Sequence, residues 1–281
     1  MYRLTLLLAL LASVPPCAAQ TDSTWINEIR GTLSFSQVGF RKWHDGGVNS
    51  LSLGAGISGK ATKNSAKTLQ EYEARLEFGI VKQDGIELRK SEDLIHLVSS
   101  IKFSEISLFG QFRPTITIDF RSQFADGFQY NDKDPTINSV KISGFFSPAI
   151  STQSLGLNYP FSNWLEARLG VAAKETIVTI RNLRSRYKVN PDQTFRWQIG
   201  SSGLVKLERM IFSNVHIKST LTLFFAFNQY SPDFIWETFI NMKVNSWLQV
   251  EANYTAYLDR DLSPSIQQKQ ALAIGVSFRL L

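Results

Sequence analysis

Apolar and polar side chains alternate along most of the chain, in segments long enough to cross a membrane as β-strands. In residues 49–61, Leu51, Leu53, Ala55 and Ile57 alternate with serine, glycine and lysine. Successive side chains of a strand point to opposite faces, and a membrane-spanning strand needs about 9 to 11 tilted residues. The alternation therefore predicts strands with one face in lipid and the other in a polar lumen.

The same pattern recurs in twelve segments, an even number, as is typical of bacterial barrels. The longest uninterrupted apolar stretch after residue 20 is Leu223 to Phe227, far too short for a membrane-spanning helix of roughly 20 residues. Only helices and closed barrels pair every backbone polar group in hydrocarbon. We therefore predict an all-β fold, a transmembrane antiparallel β-barrel of about 12 strands. The predicted strands lie near residues 28–38, 49–61, 69–82, 93–103, 106–121, 138–158, 164–180, 195–208, 214–227, 233–244, 247–258 and 268–281.

Residues 1–20 are typical of a cleaved signal peptide, which leaves residues 21–281 as a single outer-membrane barrel domain. A basic start at Arg3 precedes an apolar core from Leu4 to Val14 and small residues up to Ala19. Two alternatives remain open at this point: an uncleaved membrane anchor, and a lipoprotein modified at Cys17. Cleavage after Ala19 would remove Cys17, the only cysteine, and with it any disulfide or thiolate chemistry.

The connections also alternate in length. Short ones at 61–68, 104–105, 160–163, 208–213 and 245–246 take turns with longer, more polar ones, which predicts periplasmic turns, external loops and periplasmic termini. Trp164 and Trp247 at the short turns, with Phe120, Trp236 and Tyr257 toward the opposite ends, predict two aromatic girdles.

Two prolines interrupt the pattern. Pro114 and Pro148 each predict a β-bulge, and at Pro148 two merged elements are the alternative.

Several short motifs carry a family resemblance: Leu33-Ser34-Phe35-Ser36-Gln37, the run from Lys42 to Ser50 with Trp43-x-x-Gly46-Gly47-x-Asn49-Ser50, the run from Phe120 to Phe128, and Phe146-Ser147-Pro148-Ala149. In these motifs the chain resembles an uncharacterised outer-membrane β-barrel family, a domain of unknown function from Bacteroidota and related Gram-negative bacteria. The resemblance implies location and fold, and it supplies no functional residues. The end of the chain, Gly275-x-x-Phe278-x-Leu280, also resembles the signal that the barrel-assembly machinery recognises on a last strand.

Charges of both signs fall on the predicted lumen face. They have two interpretations, between which the sequence does not decide: a selectivity field for a solute, or ion pairs that fill and stiffen the barrel. The charges are Glu71, Glu73, Arg75, Glu77, Arg113, Asp119, Arg121, Glu166, Arg168 and Lys218.

Two predicted external loops are candidate ligand sites. Trp43, Asp45, Gly46 and Gly47 form either a binding loop or a plain hairpin turn. Arg181, Arg184 and Arg186 either bind phosphates of lipopolysaccharide or an anionic solute, or are solvated.

No catalytic, cofactor or metal site is predicted. His216 and Ser219 face opposite sides of a strand, and His96 and Ser100 are about 13 Å apart along theirs. Nucleic-acid binding, which the pI of about 9.4 suggests, conflicts with export. We expect a narrow channel or a structural, surface-interacting barrel whose partners are outer-membrane lipids, lipopolysaccharide, the assembly machinery and a possible small solute. The alternatives are a lipid-modifying hydrolase or acyltransferase, and a soluble periplasmic β-protein.

Overall fold

The structure is a computed structural model that describes residues 25–39, 49–107, 110–130, 139–263 and 265–279. The predicted signal peptide, the turn around Trp43 to Gly47 and the last two leucines lie outside these residues.

Twelve strands form one closed antiparallel barrel, as predicted, and two further strands form a hairpin outside it. Each barrel strand pairs with its neighbours along the chain, and β1 also pairs with β14. The only departure from this order is the β6–β7 hairpin, which is inserted between β5 and β8. The strands are β1 Trp25–Val38, β2 Ser50–Asn64, β3 Thr68–Gln83, β4 Ile86–Phe103, β5 Arg113–Ser122, β6 Gly127–Gln129, β7 Val140–Ser143, β8 Ala149–Ser162, β9 Leu165–Ile177, β10 Phe195–Phe212, β11 Val215–Ala226, β12 Asp233–Lys243, β13 Leu248–Leu258 and β14 Gln267–Arg279.

The two ends of the barrel differ. At the end where β1 begins and β14 ends, here called the terminal side, the connections are 65–67, 104–112, 163–164, 213–214 and 244–247. The opposite end, the loop side, carries 123–148, 178–194, 227–232 and 259–266, together with the tight turn at Asp84-Gly85. The predicted two-residue turn at Ser104 and Glu105 is therefore too short, because β5 begins only at Arg113.

The outer wall is apolar and exposed, whereas the inner face is polar. Leu169, Leu272 and Ile274 on the outer wall are 73%, 71% and 60% exposed. The described residues contain only two small clusters of buried apolar side chains, one of them in a loop. A soluble protein would bury such rows, so this wall faces lipid and the barrel spans a membrane. Among the helices of the described residues, none is long and apolar enough to cross a membrane.

Aromatic side chains lie near both ends of the outer wall. Trp25 packs against Tyr72 on the terminal side, and Trp236 packs against Tyr254 toward the loop side, each with 5.8 Å between ring centroids. The prediction was wrong for Tyr257, which lines the lumen. Its residue number has the inward parity of Glu251 and Asn253, and the outward aromatic residue of β13 is Tyr254.

Neither predicted proline bulge is present. The segment 138–158 is two elements, β7 and β8, joined by a turn at Gly144 to Pro148 whose Ser147–Pro148 bond is cis. Pro114 pairs in regular register with Leu157 of β8, whereas β4 pairs with β5 only as far as Thr115. A proline is tolerated there because one side of the strand end has no ladder to break.

The closed barrel predicts heat-modifiable mobility in an electrophoresis gel. The full chain folded in detergent should migrate faster unheated than boiled, because the barrel stays compact until its continuous hydrogen-bonded ring is broken. A control chain that ends at Ile266 lacks β14, cannot close, and should show one mobility. Equal mobilities of the full chain before and after boiling would contradict a closed barrel.

Candidate functional site: the barrel lumen

A cavity of about 720 Å³ runs along the barrel interior. It extends from Asn214 and Lys243 on the terminal side to Asp233 and Asp259 on the loop side. Its walls are mainly the inward-facing residues of the barrel strands.

The structure places most of the predicted lumen charges on the cavity wall. The exception is Arg113, which has inward parity but does not line the cavity, because it is the first residue of β5 at the terminal rim. The residues on the cavity wall are Glu71, Glu73, Arg75, Glu77, Asp119, Arg121, Glu166, Arg168 and Lys218.

Side chains from three strands, β3, β5 and β12, meet in the middle of the lumen at Glu237 of β12. Its carboxylate accepts a hydrogen bond from Arg75 of β3 at 2.9 Å and another from Arg121 of β5. The Arg75 guanidinium also contacts Glu77 at 3.2 Å and lies 4.3 Å from the ring centre of Phe239. We call Arg75, Arg121 and Glu237 the central cluster. It joins walls that are not adjacent in the barrel.

A second group of charges lies nearer the terminal side. The Glu73 carboxylate is 2.6 Å from the Lys218 ammonium, 3.6 Å from that of Lys206 and 3.9 Å from that of Lys60. These lysines belong to β11, β10 and β2, and β11 lies opposite β3 in the ring of strands. The charges are thus paired mainly across the lumen.

A third group closes the loop side. The Lys174 ammonium of β9 contacts Asp233 at 2.9 Å and Asp259 at 3.2 Å, and the Tyr257 hydroxyl donates to Asp259 at 3.0 Å. Asp261 binds Arg196 and the other residues described below. Carboxylate oxygens of Asp233, Asp259 and Asp261 lie within 4.8 Å of one another, close enough for a metal ion. Lys174, Arg196 and Lys188 already pair with these three carboxylates, so the group is an ion-paired cluster.

Loops fold over this third group and form what we call the cap, residues 144–148, 178–194 and 259–263. Val178, Leu183, Tyr187 and Val189 form its buried apolar core, and Leu262 packs against them. The Tyr187 hydroxyl donates to the Ile142 carbonyl at 2.7 Å, and the Ser147 hydroxyl accepts the Thr179 and Ile180 backbone N–H groups at 3.0 and 3.1 Å.

The predicted basic loop is part of this cap. Arg184 donates hydrogen bonds to the carbonyls of Val178 and Pro191 at 3.2 and 2.7 Å, so it holds the loop in shape. Arg181 pairs with Asp192 at 3.3 Å on the exposed surface. Arg186 lies in the last turn of a short 3-10 helix that includes Tyr187.

Side-chain exposure shows which end of the cavity is open. Lys60 and His216 on the terminal side are 37% and 38% exposed, whereas Lys174 and Asp259 under the cap are 6% and 5% exposed. The lumen is therefore accessible from the terminal side and covered on the loop side.

Asp261 connects the cap to the barrel. Its carboxylate contacts Arg196, accepts a hydrogen bond from Gln229 at 3.0 Å and lies 3.5 Å from the Lys188 ammonium. Burial alone would raise the pKa of this carboxyl, but Arg196, Lys174 and Lys188 outweigh burial and hold the pKa below its usual value of 3.8.

Both described histidines face carboxylates. His96 lies 3.1 Å from Asp119, and His216 lies 3.5 Å from Glu208. Ser219 is on the outer wall, where it accepts a hydrogen bond from the Trp236 indole. In the described ranges, neither histidine has a hydroxyl partner, which a serine nucleophile would require.

Residues 35–128 match the model of a family described as a protein of unknown function (DUF3078). The search of curated proteins found no match.

Solved structures that resemble the chain include the translocator domain of the autotransporter NalP from Neisseria meningitidis, with a TM-score of 0.41, 9% identity, and coverage of 99% of this chain and 96% of that one. An outer-membrane channel from Pseudomonas putida F1 has a TM-score of 0.40 and 9% identity, with coverage of 92% of this chain and 95% of that one. A porin has a TM-score of 0.35 and 7% identity, with coverage of 91% of this chain and 100% of that one. Likenesses this distant indicate nothing about what the chain binds or transports.

Removal of the Glu237 charge should destabilise the barrel. In Glu237→Gln, Arg75 and Arg121 lose a shared and largely buried partner, which should lower the free energy of unfolding by about 3 kcal/mol. The measurement is urea unfolding in lipid vesicles. The matched control is Glu92→Gln, whose partner Lys269 is half exposed, with an expected change below about 1 kcal/mol. Equal losses in the two variants would contradict a special role for the central cluster.

Proposed function

We propose that this protein is a narrow outer-membrane channel for small polar solutes, and that the cap holds it closed in the conformation described. The observation that carries the proposal is the polar cavity, which is open at the terminal side and is closed at the other end by the ion pairs of Lys174 and by the cap.

A barrel filled by its own side chains is the competing interpretation. The ion pairs do cross the lumen, but a cavity of about 720 Å³ remains beside them. Cavities of roughly 300 to 1,000 Å³ are the usual size for small-molecule sites. Charged walls of both signs also create the kind of field that selects solutes in pores.

The cap is suited to act as a gate, because polar contacts connect it to the barrel. Lys188 reaches Asp261, and Asp261 binds Arg196 of β10. Lys188 is 56% exposed, and exposed ion pairs contribute little to stability, so its contact with Asp261 can break and re-form at low cost.

The proposal includes the setting of the barrel. Mostly short turns on the terminal side fit periplasmic termini, and the loop side would then face outward, where Arg186 would lie near lipopolysaccharide phosphates. The barrel-assembly machinery would recognise β14. The family match supports an uncharacterised family, and we propose that its range is Bacteroidota and related Gram-negative bacteria. No observation in the described residues favours a lipid-modifying enzyme.

The gate predicts a pH-dependent conductance in planar bilayers. The lowered pKa of Asp261 means that its contribution to cap closure is full above its unfolded pKa near 3.8 and is lost as the pH falls through the lower folded value. Conductance should therefore be low at neutral pH and rise below about pH 4.

Low pH also protonates other carboxylates, so a substitution at neutral pH tests the role of Asp261 alone. Asp261→Asn should conduct several-fold more than the parent chain at pH 7. The control is Asp192→Asn, which removes a carboxylate from an exposed pair in the same cap and should behave like the parent. Bilayers that stay sealed with every variant and at every pH would overturn the channel.

A further inference from the structure

We propose that Arg168 anchors a lumen site for small oxyanions, solutes that carry a carboxylate or phosphate group. The inference rests on the proposed channel only in that it names the class of solute the channel would admit.

Unlike the other arginines of the cavity wall, Arg168 forms no ion pair with any carboxylate of the described residues. Arg30 pairs with Glu28 at 2.5 Å, Arg75 pairs with Glu237 at 2.9 Å, and Arg121 also pairs with Glu237. In the part of the chain that the structure describes, the Arg168 side chain has one polar contact, to the hydroxyl of Thr117. Its remaining N–H groups form no hydrogen bond with another acceptor among the described residues.

A glycine on the next strand fixes the position of this side chain. The Arg168 stem lies over Gly156 of β8, where an added Cβ would be 3.2 Å from Arg168 Cγ. The guanidinium thereby crosses β8 and reaches Thr117 on β5, two strands away. It lies along the wall, anchored at one edge, with the cavity beside it.

The neighbouring hydroxyls add a donor to the site. The Thr117 hydroxyl accepts from Arg168, so its own proton points elsewhere, and it donates to Ser100 at 3.4 Å. Ser100 accepts that hydrogen bond, and its own O–H can donate into the cavity that Ser100 lines. The guanidinium and the O–H that points into the cavity are both hydrogen-bond donors. Together they match an oxyanion, and the positive charge repels a cation.

The nearest carboxylates already have partners. Glu166 accepts from Lys102 at 2.7 Å and from Asn158 at 3.2 Å, and Asp119 contacts His96 at 3.1 Å. An incoming anion therefore meets carboxylates that are already paired with cations, Glu166 with Lys102 and Asp119 with Arg121 at 3.7 Å. The bidentate geometry of a guanidinium favours carboxylate and phosphate over chloride.

The position of the site also fits access by a solute. Arg168 is the fourth residue of β9, next to the turn at 163–164 on the terminal side. This is the end of the cavity that is open in the structure, so an anion can reach Arg168 without passing the cap.

Equilibrium binding of inorganic phosphate to the detergent-solubilised full chain, measured by calorimetry, tests the site directly. Arg168→Gln should weaken the binding at least tenfold. Arg168→Lys keeps the charge but loses the bidentate guanidinium, and it should weaken phosphate binding less. Ser100→Ala should weaken phosphate binding severalfold. The matched control is Lys243→Gln, which removes the same charge from the mouth of the same cavity and should bind like the parent. Heat-modifiable mobility of each variant shows that it has folded.

The outcomes separate this inference from the channel. If Arg168→Gln binds phosphate as tightly as the parent, or if Lys243→Gln loses as much, the anion site is overturned. Phosphate binding that depends on Arg168 in a barrel that passes no current supports the site and overturns the channel. Current through a barrel that does not bind phosphate overturns the site and leaves the channel in place.

Discussion

The whole structure depends on one constraint: every backbone N–H and C=O inside the membrane needs a partner within the protein. A chain of short amphipathic segments meets it only by closing a ring of strands, which β1 and β14 complete through pairs from Arg30–Arg279 to Phe35–Ile274. Closure fixes the parity of each strand, since a slip of one residue would put every lumen charge in lipid. The polar interior is therefore a consequence of the closed ladder.

Once the charges face inward, they need partners, and the register explains why the central cluster forms across the lumen. The residues beside Glu237 on the adjacent strands are Thr220 and Thr255, neither of which is charged. Arg75 lies between Ser58 and His96. No opposite full charge lies directly beside either residue on an adjacent strand, so both side chains extend across the lumen, where the pair joins strands that share no backbone hydrogen bonds.

The same distinction separates what the sequence predicts from what it does not. Parity along a strand is local information, and it places Glu73, Glu77 and Arg121 on the lumen face without any structure. Partners across the lumen depend on strand order, tilt and barrel shape, so the Arg75–Glu237 contact has no local signal. Glu237 was not among the predicted lumen charges, because its neighbours on the same face of β12, Ile235 and Phe239, are apolar.

The cap shows the same limit more strongly. Arg184 resembles a solvated loop residue in the sequence, and its bonds to Val178 and Pro191 depend on how that loop folds back on itself. Asp259 and Asp261 are close in sequence, but Asp233 joins them from the preceding hairpin. At Pro148 the interruption of the alternating pattern was a real signal, since it marks where the chain leaves the β6–β7 hairpin and re-enters the barrel.

Residues 259–262 join two parts of the molecule that are stabilised in different ways. The cap holds together by burial of Leu183, Tyr187 and Val189, as a small soluble domain does. The barrel holds together by its ladder, and its lumen by ion pairs. Asp259 belongs to the lumen through Lys174, whereas Leu262 belongs to the cap through its apolar contacts. A change of charge at Asp261, between them, can therefore loosen the attachment of the cap without unfolding either part.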